Sequence, residues 1–124
     1  MYVKVRNATR NVDLGQKVRV AESLPARLIG LLATPSLAAG EGLWIKPCVS
    51  IHTFFMRYSI DILFIDVGNK VLACQTLPPW RVSRWVTRSR GVLELPAGTA
   101  ERTATGVGDQ IEFGDLPAGQ DGVS

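Results

Sequence analysis

Alternation of apolar and polar residues marks two strands at the start of the chain. Residues 2–6 (Tyr-Val-Lys-Val-Arg) and 16–21 (Gln-Lys-Val-Arg-Val-Ala) both alternate, which is typical of strands with one face in water. Residues 7–15 between them contain two Asn, one Asp and one Gly, a composition that favours turns. The pattern therefore predicts a hairpin with a long loop over residues 2–21.

A stripe of leucines predicts the main helix over residues 24–33. The leucines are spaced i, i+4, i+7 and i+8, which places them on one helix face, and such a face normally packs against a core. Ser23 can cap the helix at its start, and Thr34-Pro35 ends it. The leucines are Leu24, Leu28, Leu31 and Leu32.

The remaining apolar runs are short and are bounded by Pro, Gly, Asn or Asp, which predicts strands joined by turns. The run over 60–66 begins with a segment that is apolar on both faces except at Asp61, and this is typical of a central strand. The Gly-Asn pair at 68–69 predicts a hairpin into the next strand. The predicted strands are 43–45, 53–56, 60–66, 71–77, 91–95 and 110–113, with a short helix at about 99–105.

The composition agrees with one small domain that is rich in strands. The chain has 124 residues, of which 46% are hydrophobic, and its 12 Gly and 7 Pro suit short strands better than a helical bundle. We expect a mostly β (α+β) fold, with a compact curved or barrel-like antiparallel sheet of about seven strands, one main helix and one short helix. The predicted domain covers residues 1–114, and residues 115–124 are expected to form a flexible tail.

Targeting signals and cysteine spacing indicate the cellular compartment of the protein. No apolar run approaches the roughly 18 residues of a membrane span, and the first residues lack the apolar segment of a signal peptide. We therefore expect a soluble, cytoplasmic protein with no membrane span. Cys48 and Cys74 belong to no CxxC pair, so two reduced thiols are favoured over a disulfide or a zinc ribbon.

The net charge of +3 is unevenly distributed. Residues 1–20 and 67–93 are basic, whereas residues 94–124 are acidic. Such asymmetry is compatible with an anionic partner or with complementary charges on neighbouring surface strands, and the second interpretation is favoured.

Residues 48–66 combine the densest apolar run with the most chemically capable side chains. The stretch holds the only histidine, His52, together with Cys48, Met56 and three of the four phenylalanines. Several short motifs in and around it resemble the family of domains of unknown function numbered 192 (DUF192, or UPF0127-like). These motifs are 27–31 (Arg-Leu-Ile-Gly-Leu), 42–45 (Gly-Leu-Trp-Ile), 52–56 (His-Thr-Phe-Phe-Met), 60–66 (Ile-Asp-Ile-Leu-Phe-Ile-Asp), 91–98 (Gly-Val-Leu-Glu-Leu-Pro-Ala-Gly) and 108–109 (Gly-Asp).

The resemblance covers roughly residues 14–114 and implies a small, mostly β domain with a helix packed on it. It supplies no activity. Met56 and Asp61 match the family pattern, whereas the position of His52 is often aromatic in that family, which weakens any mechanism that rests on His52. Family members are often exported or membrane-anchored, and this sequence shows no leader.

The favoured function is a non-catalytic binding or interaction module. Asp61 and Glu94 are acids within apolar strands, so burial would require partners such as Arg57 or an arginine of 81–90. For these acids a structural role that pins a loop to the sheet ranks ahead of ligand binding. The candidate pocket consists of Trp44, His52, Met56, Asp61 and Glu94, and the candidate contacts for a small anionic ligand or partner protein are Arg81, Arg84, Arg88 and Arg90.

The main alternative is a small hydrolase or metal-dependent enzyme centred on Cys48, His52 and Asp61. If the chain were extended, Cys48 and His52 would lie about 13 Å apart at Cα, whereas a nucleophile and its base need hydrogen-bond contact. A turn could close that gap, but nothing in the sequence demands one. Only this pair has the local spacing of metal ligands, and phosphate-binding glycine motifs are absent from the sequence. We therefore assign no catalytic residue, metal or cofactor.

A second alternative is nucleic-acid binding through residues 80–90. Trp80 and Trp85 alternate with arginines, as aromatic and basic residues do in proteins that bind single strands. The tryptophans flank Pro78-Pro79, however, and can simply pin a long loop onto the sheet. Because the net charge is also modest and the final segment is acidic, nucleic acid ranks behind a small anionic ligand or a partner protein.

Overall fold

The computed structural model describes residues 1–22 and 37–116, which form one curled sheet of seven strands and one short helix. The elements are β1 (Tyr2–Asn7), β2 (Val12–Ala21), β3 (Glu41–Ile45), β4 (Ile60–Ile65), β5 (Val71–Leu77), β6 (Gly91–Pro96), α1 (Thr99–Arg102) and β7 (Ile111–Asp115). Across the sheet the strands follow the order β5-β4-β6-β3-β2-β1-β7. The predicted mostly β fold with a curved sheet of about seven strands is confirmed, and the sheet has the form of a half-barrel. The predicted main helix at 24–33 lies outside the described residues.

Several predicted boundaries need correction. β2 begins at Val12 rather than residue 16, because a tight turn with Asn11 at a φ of 55° replaces the long loop that was expected. The strand predicted over 53–56 is wrong, since the chain turns there and Phe55 has a φ of 69°. The short helix ends at Arg102. β7 extends to Asp115, one residue beyond the predicted domain boundary, and most of the predicted tail lies outside the described part of the chain.

The sequence pattern predicted an antiparallel sheet, but one pair of neighbouring strands is parallel. β2 and β3 run parallel, with Val18 opposite Gly42 and Val20 opposite Trp44. A parallel pair needs a crossover connection of a dozen or more residues, and the sequence between Ala21 and Glu41 is long enough for one. The other neighbouring pairs are antiparallel.

The two edge strands of the sheet meet at one corner. The backbone N–H of Val71, the first residue of β5, donates to the carbonyl of Asp109 at 3.0 Å. Gly108 donates in turn to the carbonyl of Val71 at 2.8 Å, and Ile111 in β7 donates to the carbonyl of Asn69 at 2.8 Å. These bonds bring β5 and β7 together at one end and close the curl of the sheet.

Side chains on the two faces of the sheet form two separate cores. On β4, Ile62 belongs to one cluster and Leu63 to the other, as the alternation of a strand requires. We call the face that carries Leu63 the inner face, because buried residues from all seven strands meet there. The opposite, outer face carries Ile62 and is covered by the loops that contain Met56 and Val86.

Among residues 1–22 and 37–116 no helix is long and apolar enough to cross a membrane. The cytoplasmic location stays a prediction of the sequence.

Candidate functional site

Glu94 lies in the middle of the sheet on the outer face. It is 4% exposed, and its neighbours on the adjacent strands are Leu43 and Ile62, two core residues. Burial raises its pKa from 4.5 to about 8, although the positive charge of Arg19 acts in the opposite direction. Its Oε2 atom accepts no hydrogen bond among the described residues. At neutral pH this carboxyl group therefore favours its protonated form.

Asp61 lies on the other face of the sheet and fixes the start of α1. Its carboxylate accepts hydrogen bonds from the hydroxyl of Thr76 at 2.7 Å and from the backbone N–H groups of Gly98 at 3.1 Å and Ala100 at 2.9 Å. Backbone amides thus take the place of the arginine partner that we expected from the sequence. Asp61 pins the segment after β6 to β4 and β5, which is a structural role.

Trp44 and Arg90 form a packed pair in the core. Trp44 is 2% exposed and contacts the ring of Phe113, with the ring centroids 4.7 Å apart. The guanidinium of Arg90 lies 5.4 Å from the centre of the Trp44 ring and donates a hydrogen bond to Oδ1 of Asn69 at 2.5 Å. Trp44 is therefore covered and is not presented to a ligand. Arg90 is held by Trp44 and Asn69, while its Nε atom has no hydrogen-bond partner among the described residues.

The five residues of the predicted pocket do not surround one cavity. Met56 and Glu94 face the outer side of the sheet, whereas Trp44 and Asp61 face the inner side. His52 is exposed on a loop. The sheet itself separates the two pairs, so these residues cannot contact the same small ligand.

Cys48, His52 and Asp61 are also engaged separately. The Cys48 thiol donates to the carbonyl of Ser50 at 3.1 Å, and Nδ1 of His52 accepts from the backbone N–H of Phe54 at 3.2 Å. Within the part of the chain that is described, no three His, Cys, Asp or Glu side chains are grouped so that they could hold a metal ion. Asp61 lies on the inner face while Cys48 packs against the outer core, so the sheet separates these two groups.

The two cysteines do not form a disulfide, as expected from their spacing. They belong to different faces, because Cys48 packs against the outer core and Cys74 against the inner core. Burial, followed by the charges of Asp109 and Asp61, raises the pKa of Cys74 to about 11. A thiol with such a pKa is a poor nucleophile at neutral pH.

A group of exposed aromatic side chains lies where two loops, residues 46–59 and 78–90, run side by side. The ring centroids of Phe55 and Trp80 are 4.7 Å apart, those of Phe54 and Trp80 are 6.0 Å apart, and those of His52 and Phe54 are 4.7 Å apart. Val82 pairs with His52 through a β-bridge. We call this surface the aromatic platform; it consists of His52, Phe54, Phe55, Trp80 and Val82.

The aromatic side chains of the platform are presented to water. Phe55 is 71% exposed, Trp80 55% and Val82 60%, and Trp85, further along the same loop, is 70% exposed. Phe55 and Trp80 also have positive φ angles of 69° and 63°. The left-handed region is uncommon for bulky residues and costs about 1–2 kcal/mol. The two loops therefore hold exposed rings in conformations that the backbone alone disfavours.

Thr53 fastens the two loops of the platform to each other. It is 0% exposed, and its hydroxyl donates to the carbonyl of Pro78 at 2.5 Å while accepting from the N–H of Arg81 at 3.0 Å. Its own N–H donates to the carbonyl of Arg81 at 2.8 Å, and its carbonyl accepts from the N–H groups of Trp80 at 3.0 Å and Met56 at 3.1 Å. These bonds set the positions of both loops.

Replacing Thr53 with valine is expected to lower the free energy of unfolding by about 1–3 kcal/mol, because the carbonyl of Pro78 and the N–H of Arg81 lose their side-chain partner. Urea denaturation would measure the loss. Thr53→Ser is the matched control, since it keeps the hydroxyl and should cost less than about 1 kcal/mol. Equal losses in both variants would show that the hydroxyl does not hold the loops together.

The two loops that carry the platform are rich in basic residues. The loops 46–59 and 78–90 together contain six Lys and Arg residues and no Asp or Glu, although the whole chain carries a net charge of only +3. In the described part of the chain, none of the four exposed arginines forms an ion pair. These four are Arg57, Arg81, Arg84 and Arg88.

Sequence reasoning identified part of this surface. The alternation of Trp80 and Trp85 with arginines indicated a basic aromatic segment, and Arg81, Arg84 and Arg88 are indeed exposed. The sequence predicts a strand at Phe54 and Phe55, because an apolar run carries no mark of the turn that exposes them. The available signal was the lack of alternation in residues 53–56.

The fold and its motifs define a family of small half-barrel domains. The profile of the DUF192 family, described as "Uncharacterized ACR", matches residues 4–113, and the chain belongs to this family. The UPF0127 protein PH1112 of Pyrococcus horikoshii is 34% identical over 110 residues, which cover 86% of this chain and 96% of that protein. The UPF0127 protein PYRAB11210 of Pyrococcus abyssi is 32% identical, with 86% and 94% covered.

A solved structure shares the fold. The crystal structure of a protein of unknown function from Novosphingobium aromaticivorans superimposes with a TM-score of 0.76 over 90% of this chain and 84% of that chain, at 19% identity. The match supports the half-barrel architecture. The family is one of unknown function.

Proposed function

We propose that this domain is a non-catalytic binding module and that the aromatic platform is its binding surface. The observation that carries the proposal is the clustering of Phe55, Trp80 and Val82, each more than half exposed, on two loops fastened by Thr53. The site stays within the region that the sequence singled out. It lies on the loop at 52–56, however, rather than in a pocket of the sheet.

The free-energy cost of keeping these apolar side chains in water favours a binding role for this surface. Each Å² of apolar surface left in water costs about 25 cal/mol relative to burial, and contiguous exposed apolar patches commonly mark interaction sites. Two platform residues, Phe55 and Trp80, also have left-handed backbone conformations, which tend to occur at ligand-binding sites and switch regions. A surface that is both exposed and strained has no benefit for the stability of the isolated fold.

The positions of the other candidates support the platform over the alternatives. Glu94 is covered on the outer face, and Asp61 already binds three donors. Cys48 and His52, which the enzyme alternative requires, each contact a neighbouring backbone group. The sequence predicts a small anionic ligand or a partner protein, and the exposed arginines on the same two loops as the platform are compatible with either.

The dye 8-anilinonaphthalene-1-sulfonate tests this proposal, since it combines flat rings with a negative charge. The native protein is expected to bind the dye saturably, and the double variant Phe55→Ser/Trp80→Ser to lose most of the fluorescence. The matched control, Val67→Ser/Val107→Ser, removes apolar side chains that are 84% and 71% exposed elsewhere. If the control loses as much fluorescence as the platform variant, or the platform variant loses none, the proposal fails.

A further inference from the structure

We infer that the ligand of the platform is single-stranded nucleic acid, with bases stacked on the exposed rings and phosphates paired with the bordering arginines. This inference rests on the proposed binding function of the platform. It names the chemical class of the ligand, which the binding function alone leaves open.

The first support is the exposure of the tryptophans. From the sequence, Trp80 and Trp85 could be buried against the sheet and hold a loop in place. For that reason nucleic acid ranked below a small anionic ligand or a partner protein as the predicted ligand. In the structure the two side chains are 55% and 70% exposed. Loop anchoring falls instead to Thr53 and to Ser83, whose hydroxyl accepts from the N–H of Ile51 at 2.9 Å. The indole rings are therefore left for another molecule.

The second support is the charge around the rings. Four exposed arginines lie on the same two loops as the rings, and those loops contain no carboxylate. Outside these loops the chain as a whole has more acidic than basic residues, although residues 1–20 are also basic. A polyanion with one charge per unit fits this distribution, and electrostatic attraction would draw it to the platform.

The combination of exposed rings and arginines favours single-stranded nucleic acid over other classes of ligand. Neutral sugars stack on aromatic side chains but do not require four arginines. Acidic peptides pair with arginines but do not present a flat ring at every unit. Duplex nucleic acid keeps its bases stacked inside, out of reach of Phe55 and Trp80. An unpaired strand offers a ring and a phosphate in each nucleotide, the combination used by proteins that bind single strands.

The direct test is fluorescence anisotropy of a labelled twelve-nucleotide oligo(dT) titrated with the protein at about 50 mM salt. We expect saturable binding with a Kd on the order of 1–100 μM, together with quenching of tryptophan fluorescence. The logarithm of the binding constant should fall with the logarithm of salt concentration, with a slope of about −0.7 for each phosphate contact. An unlabelled twelve-base-pair duplex should compete poorly.

Single substitutions test which side chains contact the nucleic acid. Trp80→Ala is expected to weaken binding about tenfold or more at every salt concentration, whereas Trp80→Phe should retain most of the affinity. Arg84→Gln should reduce the salt slope by about 0.7. Arg102→Gln, which removes an exposed arginine on α1, is the matched control and should change neither quantity. Far-UV circular dichroism reports whether each variant is folded.

Some outcomes would overturn the inference. These are no binding of the oligonucleotide, equal binding of the duplex, or equal weakening by Arg102→Gln. A Glu–Tyr copolymer then distinguishes the two levels of the proposal. If the copolymer binds in a way that depends on Trp80 while the oligonucleotide does not bind, the platform is a protein-binding surface and only the nucleic-acid inference is wrong. If neither polymer nor the dye responds to Trp80→Ala, the binding function fails as well.

Discussion

Replacing Glu94 with glutamine is expected to remove most of the change in the free energy of unfolding between pH 4.5 and pH 8. Glu94 is buried among core residues, and its pKa in the folded protein is raised to about 8 by that burial. In the unfolded chain the same group titrates near its ordinary value of 4.5. Glutamine does not titrate, so the variant lacks this contribution.

The direction in which stability changes with pH follows from the protons bound to Glu94 in the folded and unfolded states. Below pH 4.5 the carboxyl group is protonated in both states, and its contribution to stability is fully present. As the pH rises towards 8, the unfolded chain releases the proton while the folded protein keeps it, so stability falls with increasing pH. Because one pKa unit corresponds to about 1.4 kcal/mol, the total loss is several kcal/mol as an upper limit.

Urea denaturation at half-unit steps from pH 4.5 to 8.5 would measure this effect. The wild-type protein should lose stability over the range, and Glu94→Gln should give a much flatter profile. Glu101→Gln changes an exposed carboxyl group on α1 and should leave the wild-type slope in place. Parallel profiles for wild type and Glu94→Gln would mean that Glu94 is ionised in the folded protein.

Replacing Asp61 with alanine is expected to lower the free energy of unfolding by roughly 2–4 kcal/mol. The carboxylate is 2% exposed and accepts from the hydroxyl of Thr76 and from the N–H groups of Gly98 and Ala100. Hydrogen bonds to a charged group contribute about 1.5–3 kcal/mol, and a buried donor left without a partner adds a desolvation penalty. Thermal and urea unfolding would both detect the loss.

Asp66→Ala provides a matched comparison for the Asp61 variant. Asp66 also accepts from two backbone N–H groups, those of Gly68 and Lys70, each at 2.9 Å, but it does so in an exposed turn. Water can replace the lost acceptor there, so we expect a loss of about 1 kcal/mol or less. Faster hydrogen exchange at Ala100 in Asp61→Ala, but not in Asp66→Ala, would locate the effect at α1. Equal stability losses would contradict the role assigned to burial.

The sheet was largely predictable because its signals are local. Alternation of apolar and polar residues marked β1 and part of β2, and turn residues bounded β4, β5 and β6. The uninterrupted apolar character of β4 indicated a central position, and in the structure its residues are buried throughout between β5 and β6. These inferences need only the residues of each segment and its immediate neighbours.

The partners of the polar residues were not predictable, because they come from distant parts of the chain. The backbone groups that Asp61 binds lie 37 and 39 positions later, and a backbone N–H is present at every residue except proline. Glu94 was correctly expected to lie inside the sheet, but the positive charge that acts on its pKa is that of Arg19 rather than that of an arginine of 81–90. Sequence composition favours charged partners and gives no signal for an amide.

The segment at 53–56 shows how a local signal can mislead. Thr-Phe-Phe-Met has strong β propensity, and the pattern predicted a strand there. Tertiary hydrogen bonds override that propensity: Thr53 binds Pro78 and Arg81, which turns the chain at Phe55 and exposes its ring. The candidate binding surface therefore arises from an interaction that neither loop encodes alone.

The pairing of β1 with β7 has a consequence for how the protein is made. Each of these strands supplies the other with hydrogen bonds, and the side chains of Asn7 and Asp109, 102 positions apart, are joined at 2.9 Å. Contacts at such separation raise the contact order and slow folding towards the millisecond-to-second range. During synthesis the edge of β1 stays unpaired until β7 leaves the ribosome. The sheet can therefore be completed only once nearly all of the described chain has been translated.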